Sequence, residues 1–358
     1  MFKELKHAVM HASAAAANAS GAASAADDGP GYIERPQPAA LKLTDKWDKV
    51  FRKSDKVDHS KVVFVNRFGV TLAADLYKPK GAKGSLPALA VSGPFGAVKE
   101  QVSGLYAQTM AERGYLAIAF DPSFTGESGG QPRDVASPDI NTEDFSAAVD
   151  YLETRDNVDH DRIGIIGICG WGGMALNAAA ADPRIKAAIV STMYDMSRNY
   201  SRGYFDQVDE NGWYDNMVKY ANQRTADARS GKIARAGGVP AEVPADAPQF
   251  VKDYHDFYKT KLGYHPRSLG SNGGWAVTSA ISFMNTPLLT YIDRIRNAVL
   301  VIHGEKAHSR YMGEDAFKRL KGENKELMII PGASHTDLYY KTDVIPFEKM
   351  DDFLKKYL

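Results

Sequence analysis

The sequence predicts an α/β protein built on a doubly wound, mostly parallel sheet. Three observations carry that expectation. Short apolar runs recur between residues 62 and 330, separated by stretches of helical periodicity. Most of these runs are apolar at consecutive positions, as strands covered on both faces are. One of them, residues 163–168, passes through a glycine turn into a small-residue helical pattern, the strand–turn–helix step of a parallel sheet.

Taken in order, residues 62–65 and 70–77 flank Asn66-Arg-Phe-Gly69 and read as a hairpin. Residues 86–91 form a third strand, ending in Ser92-Gly-Pro-Phe-Gly96. A helix is expected over 99–114, a strand over 115–120, and a Gly/Ser/Pro-rich loop from Asp121 to Pro138. A helix over 141–156 buries Phe145, Val149 and Leu152. After the 163–168 strand and its helix come strands at 185–190, 298–302 and 327–330. Helices at 315–321 and 345–357 complete the core.

The chain of 358 residues divides at the level of sequence into three parts. Residues 1–46 are a tail and lead-in. Lys3, Lys6 and the exit-like Ala23-Ser24-Ala25 give it a weakly signal-like look. Its middle lacks Leu, Ile and Phe, so a flexible tail is the plainer reading. Residues 47–194 and 296–358 make the α/β core. Residues 195–295 interrupt it with helical patterns at 215–229, 249–262 and 278–291. They also hold Trp213, Trp275 and eight of the chain's 18 tyrosines. An insertion of that length is a cap or subdomain rather than a loop, and a cap over strand ends walls a pocket.

A net charge of zero offers nothing to a nucleic acid. No apolar run reaches the ~20 residues of a membrane span. One cysteine makes no intrachain disulfide. The expected compartment is the cytoplasm, or the periplasm or exterior if the Ala-rich start is a signal. Nothing in the sequence sets the oligomeric state.

That single cysteine, Cys169, stands at the turn after the 163–168 strand, between Gly167 and Gly170. A nucleophile set on such a turn needs small neighbours and unusual φ/ψ. The helix that follows aims free N–H groups at it and favours negative charge there. On those grounds a lowered thiol pKa is expected.

The stretch Gly167-Ile-Cys-Gly, Asp121 with Gly126-Glu-Ser-Gly-Gly130, and Gly332-Ala-Ser-His335 together resemble the α/β-hydrolase superfamily. The likeness is greatest to its dienelactone-hydrolase and bacterial acyl-hydrolase branch, where a Cys nucleophile occurs. Trp171 departs from the pattern, standing where the family has its second glycine.

The resemblance implies Cys169 as nucleophile and His335, after the last strand, as base. It implies an oxyanion hole from the N–H of Gly170 and of Phe95 or Gly96. The orienting acid should follow the 298–302 strand. The family's position is Ala307 here, so Glu305 is the nearest carboxylate and Asp195 the reserve. His303, Glu305 and His308 lack the i, i+4 spacing of a helical metal pair, and no metal or cofactor is expected. The substrate is a small acyl compound: an ester, lactone or thioester. Amides fit less well, because a thiolate leaves the tetrahedral intermediate before an amine does. Acyl transfer, X-Pro-type peptidase activity and a non-catalytic binding role stay open as alternatives.

Overall fold

The hairpin is organised by one side chain. Asn66 Oδ1 accepts from the N–H groups of Phe68 (3.1 Å) and Val70 (2.9 Å), and Gly69 takes the positive φ that closes the turn. This fixes the register of β1 (Val57–Val65) on β2 (Thr71–Pro79), pairing Val65 with Thr71. The computed structural model describes residues 33–358, and residues 37–358 form one unit. The signal-like tail lies outside the described residues.

Six further strands complete the sheet: β3 (Leu86–Ser92), β4 (Leu116–Phe120), β5 (Val158–Ile168), β6 (Ala187–Ser191), β7 (Ala298–Gly304) and β8 (Lys325–Ile330). Their order is β1-β2-β4-β3-β5-β6-β7-β8. The first two pairings are antiparallel and the rest parallel. The unbroken apolar strands β4, β6 and β7 are buried along their whole length, as strands covered on both faces must be.

The core helices are α1 (Val102–Ala111), α2 (Pro138–Glu153) and α3 (Gly170–Ala181). Helix α2 starts three residues before the expected 141, because Ser137 caps it and Pro138 fills its first turn. Between β6 and β7 lie α4 (Met196–Arg202), α5 (Glu210–Ser230), α6 (Gln249–Lys259) and α7 (Ser279–Asn285), with short 3₁₀ turns. The only pairing found there among the described residues is an isolated bridge, Arg235 to Ala276. Phe257, Tyr258, Trp275 and Phe283 of this insertion join the main core, while α5 buries no residue. The chain closes with α8 (Arg310–Arg319), α9 (Asp337–Tyr340) and α10 (Phe347–Tyr357).

The parallel strands end on one edge. The loop after β3, Cys169 after β5, Thr192 after β6, Ser309 beyond β7 and His335 beyond β8 therefore converge there.

Candidate active site

Cys169 occupies the sharp turn that its flanking glycines predict. Its φ is 57° and ψ −126°, a strained conformation for a side chain. Three bonds hold it: Cys169 N–H donates to Ser191 O (3.0 Å), while its carbonyl accepts from Gly172 N and Tyr194 N (2.9 Å each). The glycines are required by close approach. A Cβ on Gly167 would lie 2.4 Å from Trp171 O, on Gly172 2.5 Å from Met193 Cβ, and on Gly173 2.4 Å from Tyr194 O. Close packing has thus moved to Gly172 and Gly173, and Trp171 is freed for another task. Its buried ring stacks on Trp275 (6.0 Å between centroids) and lies tilted against Phe95 (5.4 Å), bracing the loop after β3.

That loop presents the N–H of Phe95 to the Cys169 sulfur, beside the N–H of Gly170. Gly96 serves the loop through its carbonyl, which accepts from Gly270 N and Ser268 Oγ at 2.9 Å each. Between Phe95 and Gly96, it is Phe95 whose N–H faces the sulfur. The hydroxyls of Tyr339 and Tyr254 also reach the sulfur. Burial pushes the thiol pKa up, and these donors only partly offset it. The sequence expectation ran the other way. The helix N-terminus favours the thiolate, but the dry surroundings outweigh it.

His335 is buried, and both ring nitrogens are engaged. Nδ1 lies 2.7 Å from Thr192 Oγ1 and 2.8 Å from Ser309 Oγ; Nε2 lies 3.0 Å from Tyr339 Oη. Its neutral form is strongly favoured, first because burial penalises the cation and then because His308 and His303 stand near. Among the described residues, no carboxylate touches the ring. Glu305 Oε2 accepts from Gly332 N at 2.8 Å on an exposed loop. Asp195 caps α4, accepting from Arg198 N (3.0 Å) and from Ser197 Oγ. In place of the expected acid, two hydroxyls hold the imidazole. Thr192 and Ser309 were missed because a hydroxyl after a strand is a common residue with no signature. Tyr339 had a faint signal: it stands four residues after His335, the spacing of one helical turn.

The sulfur opens on a cavity of about 340 Å³ between the strand ends and the insertion, within the usual size range for small-molecule sites. Phe95, Tyr194, Tyr204, Tyr254, Tyr258 and Trp275 form much of its wall, and among the described residues none that lines it is charged. Asn199 Oδ1 and Trp275 Nε1, on lining residues, are buried with no hydrogen-bond partner among the described residues. A larger hollow of about 590 Å³ beside α1 is lined by neither Cys169 nor His335. Beyond the cavity, His308 bonds to Tyr194 Oη and stacks on Phe250 at 4.2 Å. Burial lowers its pKa to about 4 and that of His303 to about 3. Among the described residues, no group of three or more His, Cys, Asp or Glu side chains is disposed to hold a metal ion.

The model of the X-Pro dipeptidyl-peptidase (S15) family matches residues 69–337, from the turn before β2 through His335. The chain belongs to the S15 family. The uncharacterized protein PA2218 of Pseudomonas aeruginosa is 56% identical over 89% of this chain and 86% of that protein. Its crystal structure superposes with a TM-score of 0.87, covering 89% of this chain and 100% of that one. The α/β hydrolase GrgF from Penicillium shares the fold at a TM-score of 0.70 and 21% identity, over 84% of this chain and 99% of that one. A local likeness, 33% identity over 38% of this chain and 42% of that protein, links it to the thiohydrolase aneE of Aspergillus aculeatus. Together with the sheet order, these matches make the chain a hydrolase of the α/β-hydrolase fold. The superfamily resemblance drawn from the motifs holds at this level, and the family matched is S15.

Proposed function

We propose that this chain hydrolyses thioesters, esters or lactones of uncharged acyl groups, with Cys169 as nucleophile and residues 195–295 as a cap over the site. The observation that carries the reading is the floor of the cavity. A sulfur stands there with two backbone N–H groups converging on it, Phe95 and Gly170, under an aromatic wall with no charged lining residue among the described residues. Two N–H groups on one side of a nucleophile serve a developing oxyanion. A buried wall without charge accepts an acyl chain or ring and disfavours an ion.

In this reading the Cys169 sulfur bonds to the acyl carbon and the carbonyl electron pair moves to oxygen, under those N–H groups. The intermediate collapses and expels a thiol or alcohol. Water then releases the acid and restores the thiol, with His335 as base in both halves. Thiol and imidazole are both neutral at rest, since burial raises one pKa and lowers the other. Moving a proton between them is uphill, which suits activated acyl groups better than amides. The likeness to a protein named as a thiohydrolase supports a thioester in particular.

The family's name carries a second reading, release of X-Pro dipeptides. Such a substrate presents an ammonium at its end, and among the described residues lining the cavity no carboxylate receives one.

The test is a substrate panel of acyl thioesters, p-nitrophenyl esters, lactones and X-Pro p-nitroanilides, read by turnover and intact mass. Turnover of thioesters or esters, with an acyl adduct on Cys169 that is absent in Cys169→Ala, is expected. Turnover of the anilides alone, or activity surviving Cys169→Ala, overturns the proposal.

A further inference from the structure

His335 does not line the cavity, whereas Tyr339 does. The imidazole lies behind a wall of rings: Tyr194, Tyr254 and Tyr339 stand 5.3, 5.5 and 5.3 Å from its centroid, and His308 5.0 Å. Its Nδ1 is taken up by Thr192 and Ser309, which leaves Nε2 as the nitrogen directed toward the nucleophile. Nε2 meets the Tyr339 hydroxyl at 3.0 Å, and that hydroxyl is also a hydrogen-bond partner of Cys169, with which Tyr339 lines the cavity. A phenol hydroxyl has one proton to give and lone pairs to accept another. It is therefore able to sit in the middle of a proton path without gaining or losing net charge.

We propose that Tyr339 is a catalytic residue, the relay through which Cys169 and His335 exchange a proton. The proposal rests on the nucleophile reading of Cys169. As the sulfur bonds to the acyl carbon, the S–H proton passes to Tyr339 Oη while the Tyr339 proton passes to His335 Nε2. The imidazolium so formed keeps its Nδ1–H on the Thr192 or Ser309 hydroxyl. When the intermediate collapses, both protons run back along the same path and one ends on the leaving sulfur or oxygen. Water attack in the second half uses the path again, and the final collapse returns the proton to sulfur. Every proton and electron pair is accounted for without an added reagent.

The surroundings favour a concerted passage. Tyr339 is fully buried against Phe257 (5.1 Å) and Tyr254 (6.4 Å), so the hydroxyl is held in place. Its phenol pKa is pushed well up, first by burial and then by the nearby Cys169. A free tyrosinate therefore does not accumulate, and the two transfers go together.

Tyr339→Phe tests the relay, because it removes one oxygen and keeps the ring. With a substrate that acylates Cys169 in the parent protein, single-turnover acylation should fall on the order of 10²–10³-fold. KM should stay within about threefold, since the ring wall remains. Tyr339→Gly adds a readout that packing alone does not move. p-Cresol, which replaces both ring and hydroxyl, should restore acylation, while toluene, which replaces the ring alone, should not. Acylation of Tyr339→Phe at the parental rate overturns the relay while the nucleophile reading stands. So does equal rescue by toluene and p-cresol. If the parent protein forms no adduct on Cys169 with any activated acyl compound, the nucleophile reading fails first and the relay falls with it.

Discussion

Among the described residues, the His335 ring is held by hydroxyls and by no carboxylate. The ring is fixed by Thr192 Oγ1 and Ser309 Oγ, either of which can accept the Nδ1 proton. Thr192 holds a φ of 46°, unusual for a β-branched residue, and that strain marks the position as specialised. Losing one hydroxyl leaves the other as acceptor. Losing both leaves a buried N–H unpaired, at a cost of ~1–3 kcal/mol. Ser309→Ala alone should therefore lower kcat only a few-fold, whereas Ser309→Ala with Thr192→Val should lower it by at least ~10-fold beyond the product of the single effects. Glu305→Gln gives the contrasting result: kcat/KM within about twofold of the parent, because that carboxylate ties down Gly332 on the surface. A large loss in Glu305→Gln would return the acid to Glu305. The thiol offers a third measurement. Burial raises its pKa, so iodoacetamide alkylation of the resting protein should keep rising past the ~8.5 of a free thiol. A plateau near neutrality would show a preformed thiolate.

At the scale of elements, the loop that presents Phe95 is anchored by a buried charge cluster at its far end. Lys99 Nζ contacts Glu100 (2.8 Å), Asp121 (2.8 Å) and Glu127 (2.7 Å), and Arg267 of the insertion reaches Glu100 at 2.9 Å. Asp121 also accepts from the backbone N–H groups of Lys99 and Glu127 at 2.8 Å each. Gly126 is confined beneath it, since a Cβ there would lie 2.2 Å from Asp121 Oδ2. This explains chemically why Asp121 and the Gly126–Gly130 stretch occur together in the sequence. Removing the cation leaves Asp121 without a cationic partner among the described residues, while Glu100 keeps Arg267 and Lys61 and Glu127 keeps Lys61. Lys99→Met should cost ~3–5 kcal/mol in urea unfolding and slow acylation as the Phe95 loop loosens. A change below ~1 kcal/mol would show the cluster to be incidental. The strands, the mostly parallel sheet and the turn at Cys169 were legible because each has a sequence period or a glycine that fits one geometry, whereas the strand order was not read from the sequence. Tyr339, Thr192 and Ser309 were not legible. They belong to three different elements, and only the folded sheet brings their oxygens to one ring. The early start of α2 was legible in principle, in Ser137-Pro138, but its apolar stripe begins later than its cap.

For the whole molecule, the strand-end edge is a place where three imidazoles are kept neutral inside the fold. His303 is fully buried, and among the described residues neither of its ring nitrogens has a hydrogen-bond partner. Gly313 of α8 packs so closely that a Cβ there would lie 2.2 Å from His303 Nε2. Burial lowers His303 to about 3 and His308 to about 4, and drives His335 well down. Their unfolded values lie near ~6.5. Below that pH the unfolded chain takes up protons that the folded chain refuses, so stability is lost as pH falls toward the folded values. Each such histidine contributes a slope of ~1.4 kcal/mol per pH unit in that window. Asp144, raised to about 6 by burial, and Asp121 and Asp195, also raised by burial, oppose the trend. The depressed carboxylates Asp75 and Glu127 hold their contribution until pH falls below the ordinary carboxylate range. A difference between two proteins isolates one histidine from that sum. His303→Leu removes a buried group with no hydrogen-bond partner, so its stability at pH 7.5 should change by less than ~1.5 kcal/mol. Between pH 6 and pH 4.5, its loss of stability in urea should be shallower than the parent's by ~1.4 kcal/mol per pH unit. Parallel curves would mean that His303 is charged in the folded state, and the neutral imidazole cluster behind the site would have to be redrawn.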